Sequence, residues 1–369
     1  MTDINAGKFA QILVDYSTAV KPGDRVAIRS STNAEPVIRA LFQRVLEREA
    51  YPHLVLELPD QNDLMYAHAS DALLSFIPEF HRIAFEEFDV LIKVKAYDNT
   101  RSLSHIDPAR SALLEGVEAK FINSQMVRGA SKNLRWMSTI YPTHAYAMEA
   151  EMSLSDYQDL FFRACHADEG TANPVAYWQG VKRDQAQFIE WISGRDKVQL
   201  RGPNVDLSLS IKDRKFVNAC GEHNLPDGEI YTGPVENSAN GWVRYSYPAI
   251  YQGRIVENVE LVFEDGRVVK ASAKKNEEYL LATLGKDAGA RYIGEFAIGT
   301  NIEINRFTGS ILLDEKIGGS FHIALGAGYP ETGSVNQSAI HWDMICDMRQ
   351  DAEIIVDGEI CYRNGKFTF

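Results

Sequence analysis

Cysteine is scarce in this chain and badly spaced for chemistry. Four occur in 369 residues (Cys165, Cys220, Cys346, Cys361), and no two form a Cys-x-x-Cys pair. That excludes a thiolate-type zinc site, which needs short ligand spacings, and leaves free thiols as the expectation. Long apolar runs are absent too: none reaches the roughly 20 residues that span a bilayer, so no membrane partner is expected. The first residues, Met1-Thr2-Asp3-Ile4-Asn5, lack the basic start and apolar stretch of a secretory signal. A cytoplasmic location is expected. Basic charge is in deficit, with 38 Lys+Arg against 51 Asp+Glu and a formal net charge of −13. No Lys/Arg-rich run stands out, and an acidic chain repels a phosphate backbone, so nucleic acid is excluded as an expected partner. A dinucleotide loop is missing as well. The first strand–helix junction, Ser30-Ser31-Thr32-Asn33-Ala34, carries neither Gly-x-Gly-x-x-Gly nor a phosphate-binding lysine. No repeat or low-complexity tract is evident.

What is present divides into two textures. A chain of this length exceeds what one hydrophobic core usually serves, so two domains are expected. In the first half, Phe9, Ile12, Leu13 and Tyr16 recur at helical spacing before a short strand at 25–29. Val37, Leu41, Val45 and Leu46 mark a second helix, followed by a strand at 52–57, a helix over about 70–86 and a strongly apolar strand at 90–94. Helices alternating with short β-branched runs imply crossover units and a largely parallel sheet. The expected fold there is doubly wound α/β, Rossmann-like. Helices near 154–166 and 173–193 follow. Beyond Ser193-Gly194 the pattern changes to short strands at 197–200, 205–210 and 256–263, with Glu264-Asp265-Gly266 as a hairpin turn. The chain is therefore expected to form an N-terminal α/β domain over 1–193 and a mixed α+β domain over 194–369.

The second half carries a set of residues suited to metal ions: Glu229, Glu295, Glu315, His322, His341 and Asp343. Imidazole nitrogen and carboxylate oxygen are the donors of zinc, cobalt and manganese sites. Two ions about 3.5–4 Å apart need bridging carboxylates to offset their repulsion. His341 and Asp343 share one face if the segment is extended, with Trp342 turned the other way. Singly these residues are weak signals. His322 lies between apolar residues, as a core histidine would. Glu229 follows the turn sequence Pro226-Asp227-Gly228, and Glu315 adjoins Asp314 in what could be an acidic loop. Glu295 is the exception, because a glutamate among apolar residues is costly to bury without a partner.

Together the segments resemble the thermophilic-aminopeptidase family of metallopeptidases. The matching stretches are Asn-Leu-Pro-Asp-Gly-Glu-Ile at 224–230, Arg-Tyr-Ile-Gly-Glu-Phe-Ala at 291–297 and Leu-Leu-Asp-Glu at 312–315. They continue with His-Ile-Ala-Leu-Gly-Ala-Gly-Tyr at 322–329 and Ser-Ala-Ile-His-Trp-Asp-Met-Ile at 338–345, in the family's order. The resemblance implies a C-terminal catalytic domain in which Glu229, Glu295, Glu315, His322, His341 and Asp343 hold two divalent ions (zinc, cobalt, manganese or magnesium). Tyr329 matches an active-site tyrosine, and Glu295 or Glu315 would act as general base. It further implies peptide substrates with a free N-terminus and a homodimer. The sequence departs from the family pattern in a longer link between Glu315 and His322 and a shorter one from Tyr329 to His341. Residue types alone leave two other readings open: a dinuclear hydrolase of another bond, such as an amidase or phosphoesterase, and a non-catalytic small-molecule binder with a structural metal.

Overall fold

The structure, a computed structural model, describes residues 4–368. These form two compact units. The first comprises the chain up to Gln179 together with Gly221–Pro226. Its sheet contains β1 (Arg25–Ser31), β2 (Tyr51–Glu57), β3 (Val90–Lys95) and β4 (Arg135–Ile140), with the short segment Asn224–Leu225 added at one edge. All pairings are parallel, in the order β2-β1-β3-β4-(224–225). This is the doubly wound α/β arrangement that alternating helices and strands predict. Val26, Ala27, Ile28, Leu91, Ile92 and Val94 are all buried, as befits a parallel sheet covered on both faces. The helix Glu35–Glu47 has proline in its first turn and buries the stripe Val37, Ile38, Leu41 and Val45.

Two details differ from the sequence reading. The expected helix over 70–86 is two helices, Asp71–Leu74 and Glu79–Glu86. Pro78 stands at the junction in an extended conformation, and the Ser70 side chain caps the first helix by accepting from the Leu73 amide. The stretch 256–263 is likewise two strands, Arg254–Val256 and Glu260–Glu264, interrupted where Asn258 takes a φ of 55°.

The second unit comprises Gly180–Cys220 and the chain from Asp227 onward. It holds an eight-stranded and a five-stranded sheet, the latter wholly antiparallel. The five-stranded sheet runs in the order 341–347, 320–326, 293–299, 229–232, 217–219. One continuous core contains residues of both sheets, among them Val198, Leu207, Val243 and Leu261 of the larger and Phe296, Phe321, Leu325 and Trp342 of the smaller. Among the described residues no helix is long and apolar enough to cross a membrane.

Candidate metal centre

The four strands Glu229–Thr232, Ile293–Gly299, Ser320–Gly326 and His341–Asp347 are neighbours in the five-stranded sheet. Alternate residues of a strand point to opposite faces. On one face lie Ile230, Phe296, Ile298, Phe321, Ile323, Leu325, Trp342, Met344 and Cys346, all part of the hydrophobic core. The other face presents Glu229, Glu295, His322, His341 and Asp343. Cross-strand register sets a small residue beside each of these: Gly299 opposite Glu229, Ala324 opposite both Glu295 and Asp343, Ala297 opposite His322, and Gly326 opposite His341. The large residues therefore build the core, and the alanines and glycines leave room above the opposite face for polar side chains to meet.

A β-bulge adjusts the central strand. Its register with Ser320–Gly326 shifts between Ile293 and Glu295, leaving Gly294 unpaired there. The backbone carbonyls of Gly326 and Ala327 crowd Gly294, so no side chain fits at that position. Glu229 is fixed from the other side. Gln185, itself buried, donates from Nε2 to the Glu229 carbonyl at 3.1 Å and accepts from the Thr300 hydroxyl at 2.7 Å. Asn301 Nδ2 donates to the Asp227 carbonyl at 2.8 Å. The sixth residue, Glu315, comes from outside the sheet, at the C-terminal end of the short helix Ile311–Asp314. Asp314 anchors that helix, accepting from the Thr308 amide at 2.7 Å and its hydroxyl at 2.8 Å while fully buried.

The six side chains converge. His322 Nε2 lies 3.4 Å from Glu295 Oε1, 3.7 Å from Glu229 Oε2 and 3.9 Å from Asp343 Oδ1. His341 Nε2 lies 3.3 Å from Glu295 Oε2 and 3.5 Å from Asp343 Oδ1. Three overlapping triads have donor atoms within 4.8 Å of one another: Glu229–Glu295–His322, Glu295–His341–Asp343 and Glu315–His322–Asp343. Glu295 thus turns one oxygen to each histidine. Five of the six are buried or nearly so, while His341, 28% exposed at its side chain, marks the solvent side.

The donor set fits divalent metal. Each imidazole engages a backbone carbonyl through Nδ1, His322 that of Glu315 at 3.1 Å and His341 that of Ala327 at 2.8 Å. Nδ1 is therefore the protonated nitrogen, and both Nε2 atoms face carboxylate oxygens, the orientation used by metal-ligating histidines. A lone pair facing carboxylates requires a cation between them. Glu229 Oε2 and Asp343 Oδ1 are moreover buried acceptors without a hydrogen-bond partner of good geometry. The same carboxylates also favour a proton on each imidazole. Burial opposes charging of His341, but Asp343 and Glu295 outweigh it and push the imidazole up to about 12. His322 rises to about 9, with Glu295, Glu229 and Asp343 again overcoming burial. Asp343 falls to about 2 because the histidines overcome its desolvation. Metal ions compete with protons for such nitrogens.

Two neighbours complete the site. The Tyr329 ring packs at a tilt, its centroid 5.1 Å from that of His341 and 5.5 Å from that of Tyr231. Burial, with Glu295, Asp343 and Glu315 nearby, pushes its hydroxyl far above the usual phenol range. Lys316, which follows Asp314 and Glu315 in the chain, is fully buried with Nζ 2.8 Å from Glu229 Oε1 and in contact with Glu315 Oε1. Neither Lys316 nor Gln185 carries a motif that marks it in sequence.

The model of the thermophilic metalloprotease family (M29) matches residues 2–367. The chain belongs to this family. It is accordingly a hydrolase of the metallopeptidase class. It is 25% identical to aminopeptidase 2 of Geobacillus stearothermophilus, covering 98% of this chain and 97% of that one. It is 26% identical to aminopeptidase AmpS of Bacillus subtilis over 98% of both chains. The solved structure of wild-type AmpT from Thermus thermophilus superposes with a TM-score of 0.85 at 20% identity, over 99% of each chain, so the two share a fold.

Proposed function

We propose that the protein is a metal-dependent aminopeptidase that removes N-terminal residues from peptides, with Glu229, Glu295, Glu315, His322, His341 and Asp343 holding two divalent ions. The observation that carries this reading is the split of Glu295, one oxygen toward His322 at 3.4 Å and the other toward His341 at 3.3 Å. A carboxylate so placed could be shared between two ions. Bound divalent ions supply a water of lowered pKa and polarise the scissile carbonyl.

The chain's own groups then divide the remaining work. A carboxylate of the site, Glu295 or Glu315, carries a proton from the attacking water to the leaving amine. Burial and the nearby carboxylates favour the protonated Tyr329 hydroxyl, which can therefore donate. It is suited to hydrogen-bond the oxygen that gains charge in the tetrahedral intermediate. A substrate entering on the exposed His341 side presents its free α-amine to the carboxylate-rich interior, which favours exopeptidase action. The names of the relatives, aminopeptidase 2 and AmpS, support the same activity. We propose further that the protein acts as a homodimer in the cytoplasm, where its four free, buried cysteines stay reduced.

The test is hydrolysis of aminoacyl-nitroanilides beside their N-acetylated counterparts, with and without chelator. Expected are activity on free amines only, loss on chelation, recovery with added zinc, cobalt or manganese, and a fall of at least ~100-fold in Glu295→Gln. Chelator-resistant turnover, or full activity in Glu295→Gln, would falsify the assignment.

A further inference from the structure

Fully buried lysine is rare unless it is paired, and Lys316 is paired to excess. Its Nζ lies 2.8 Å from Glu229 Oε1, touches Glu315 Oε1 and is 3.7 Å from Asp227 Oδ1. Three carboxylates thus meet one ammonium that has no exposed surface. The lysine backbone is held on both sides, its amide donating to the Leu313 carbonyl at 3.0 Å and its carbonyl accepting from the Asn301 amide at 3.1 Å. The side chain therefore projects from a fixed point rather than from a loose loop.

The oxygens are shared out in a pattern. Glu229 gives Oε1 to Lys316, while its Oε2, buried and without a hydrogen-bond partner, faces His322 at 3.7 Å. Glu315 gives Oε1 to Lys316 and also belongs to a triad with His322 and Asp343. We propose that Lys316 is a built-in cation of the metal centre, a positioning residue that holds one oxygen each of Glu229 and Glu315, leaves the others for the ions, and keeps the ligand carboxylates assembled when no ion is bound. This rests on the metal-centre reading above. Asp227, Glu229, Glu295, Glu315 and Asp343 form one crowded carboxylate neighbourhood, and like charges in a poorly solvated site repel strongly. Bound dications cancel most of that repulsion. In their absence the protonated His322 and His341 face Glu229, Glu295 and Asp343, and Lys316 is the one lysine or arginine paired with the ligand carboxylates among the described residues, held between Glu229 and Glu315. Its contribution is therefore larger in the metal-free protein than in the loaded one.

The experiment compares thermal unfolding of the full-length wild type, Lys316→Met and Lys316→Arg, each stripped with chelator and each reloaded with manganese or zinc, with metal content measured on the same samples. Stripped Lys316→Met is expected to melt roughly 10 °C below stripped wild type. Reloading should recover most of that deficit, and Lys316→Arg, which keeps the charge, should lie closer to wild type when stripped. If Lys316 merely fills space, Lys316→Met shifts both states equally, and that outcome overturns the proposal. Should the variants not fold, hydrogen exchange on stripped wild type decides. Protected amides in Glu229–Thr232 and Ile293–Gly299 support a cage that survives without metal, and freely exchanging ones overturn it. A wild type that takes up no metal would instead defeat the metal-centre reading, independently of how Lys316→Met melts.

Discussion

Tyr329 is the residue whose role can be separated most cleanly from folding. Its ring packs between Tyr231 and His341, and phenylalanine preserves that packing while removing the donor. Tyr329→Phe is therefore expected to lower kcat by about 10²–10³-fold, the usual effect of losing one oxyanion donor, with KM and thermal midpoint near wild type. Steady-state kinetics on a single aminoacyl-nitroanilide measures this, and an unchanged kcat removes Tyr329 from the reaction. At this scale the sequence was legible where a residue type is unusual for its surroundings. A glutamate among apolar neighbours at 295 and a histidine two before an aspartate at 341–343 both stand out by chemistry. Lys316 did not, because a lysine after two acidic residues looks like a solvated loop residue. Its burial depends on Glu229 and Asp227, nearly 90 positions away in the chain. Gln185 was hidden for the same reason, since its partners are backbone groups on strands brought near only by folding.

At the level of the strand, the informative pattern is the alternation of large and small. His322-Ile323-Ala324-Leu325-Gly326 and Glu295-Phe296-Ala297-Ile298-Gly299 each put bulky residues on the core face and alanine, glycine or a polar residue on the other. His322 lies between apolar residues in sequence, yet the period of two places those neighbours on the face opposite its own. What the pattern cannot supply is the bulge. Gly294 sits where the ladder shifts, hard against the carbonyls of Gly326 and Ala327. A Cβ there forces the two strands apart and turns Glu295 away from the histidines. Gly294→Ala is expected to cost about 2–4 kcal/mol of stability, in the range of overpacking against buried backbone, and to lower metal affinity. Denaturant unfolding and metal titration of the same sample test both parts, and wild-type values for both would mean that the bulge does not aim Glu295. In the first unit, the helix Pro108–Ala130 and strand Arg135–Ile140 were not read from sequence. Of the helix's 23 residues only Val117, Phe121 and Gln125 are buried, so its apolar stripe is too thin to announce it.

For the whole molecule, the feature that bears on assembly is the exposed edge of the parallel sheet. β2 is an edge strand, yet Tyr51 is 62% exposed, and Leu54 and Leu56 are each 43% exposed. Leu58, just past its end, is also exposed. Soluble proteins normally protect such edges with charge, proline or a covering element, because an apolar edge invites pairing. Pro52 and His53 give this one little protection. The homodimer proposed above would place a second copy of the chain there, a two-fold axis beside β2 burying the same leucines from both partners at once. The −13 charge of each chain does not favour association, so the apolar contact has to outweigh it, and added salt should tighten the dimer by screening. Light scattering is expected to give a mass near twice the chain's 41.4 kDa. Leu54→Lys combined with Leu56→Lys should weaken the dimer by at least ~100-fold, since two buried leucines contribute about 1.5–3 kcal/mol each. The metal content should not change, because all six proposed ligands lie in the second unit. A wild type that stays monomeric at every concentration, or a double variant that dimerises as tightly as wild type, places any self-association away from this edge.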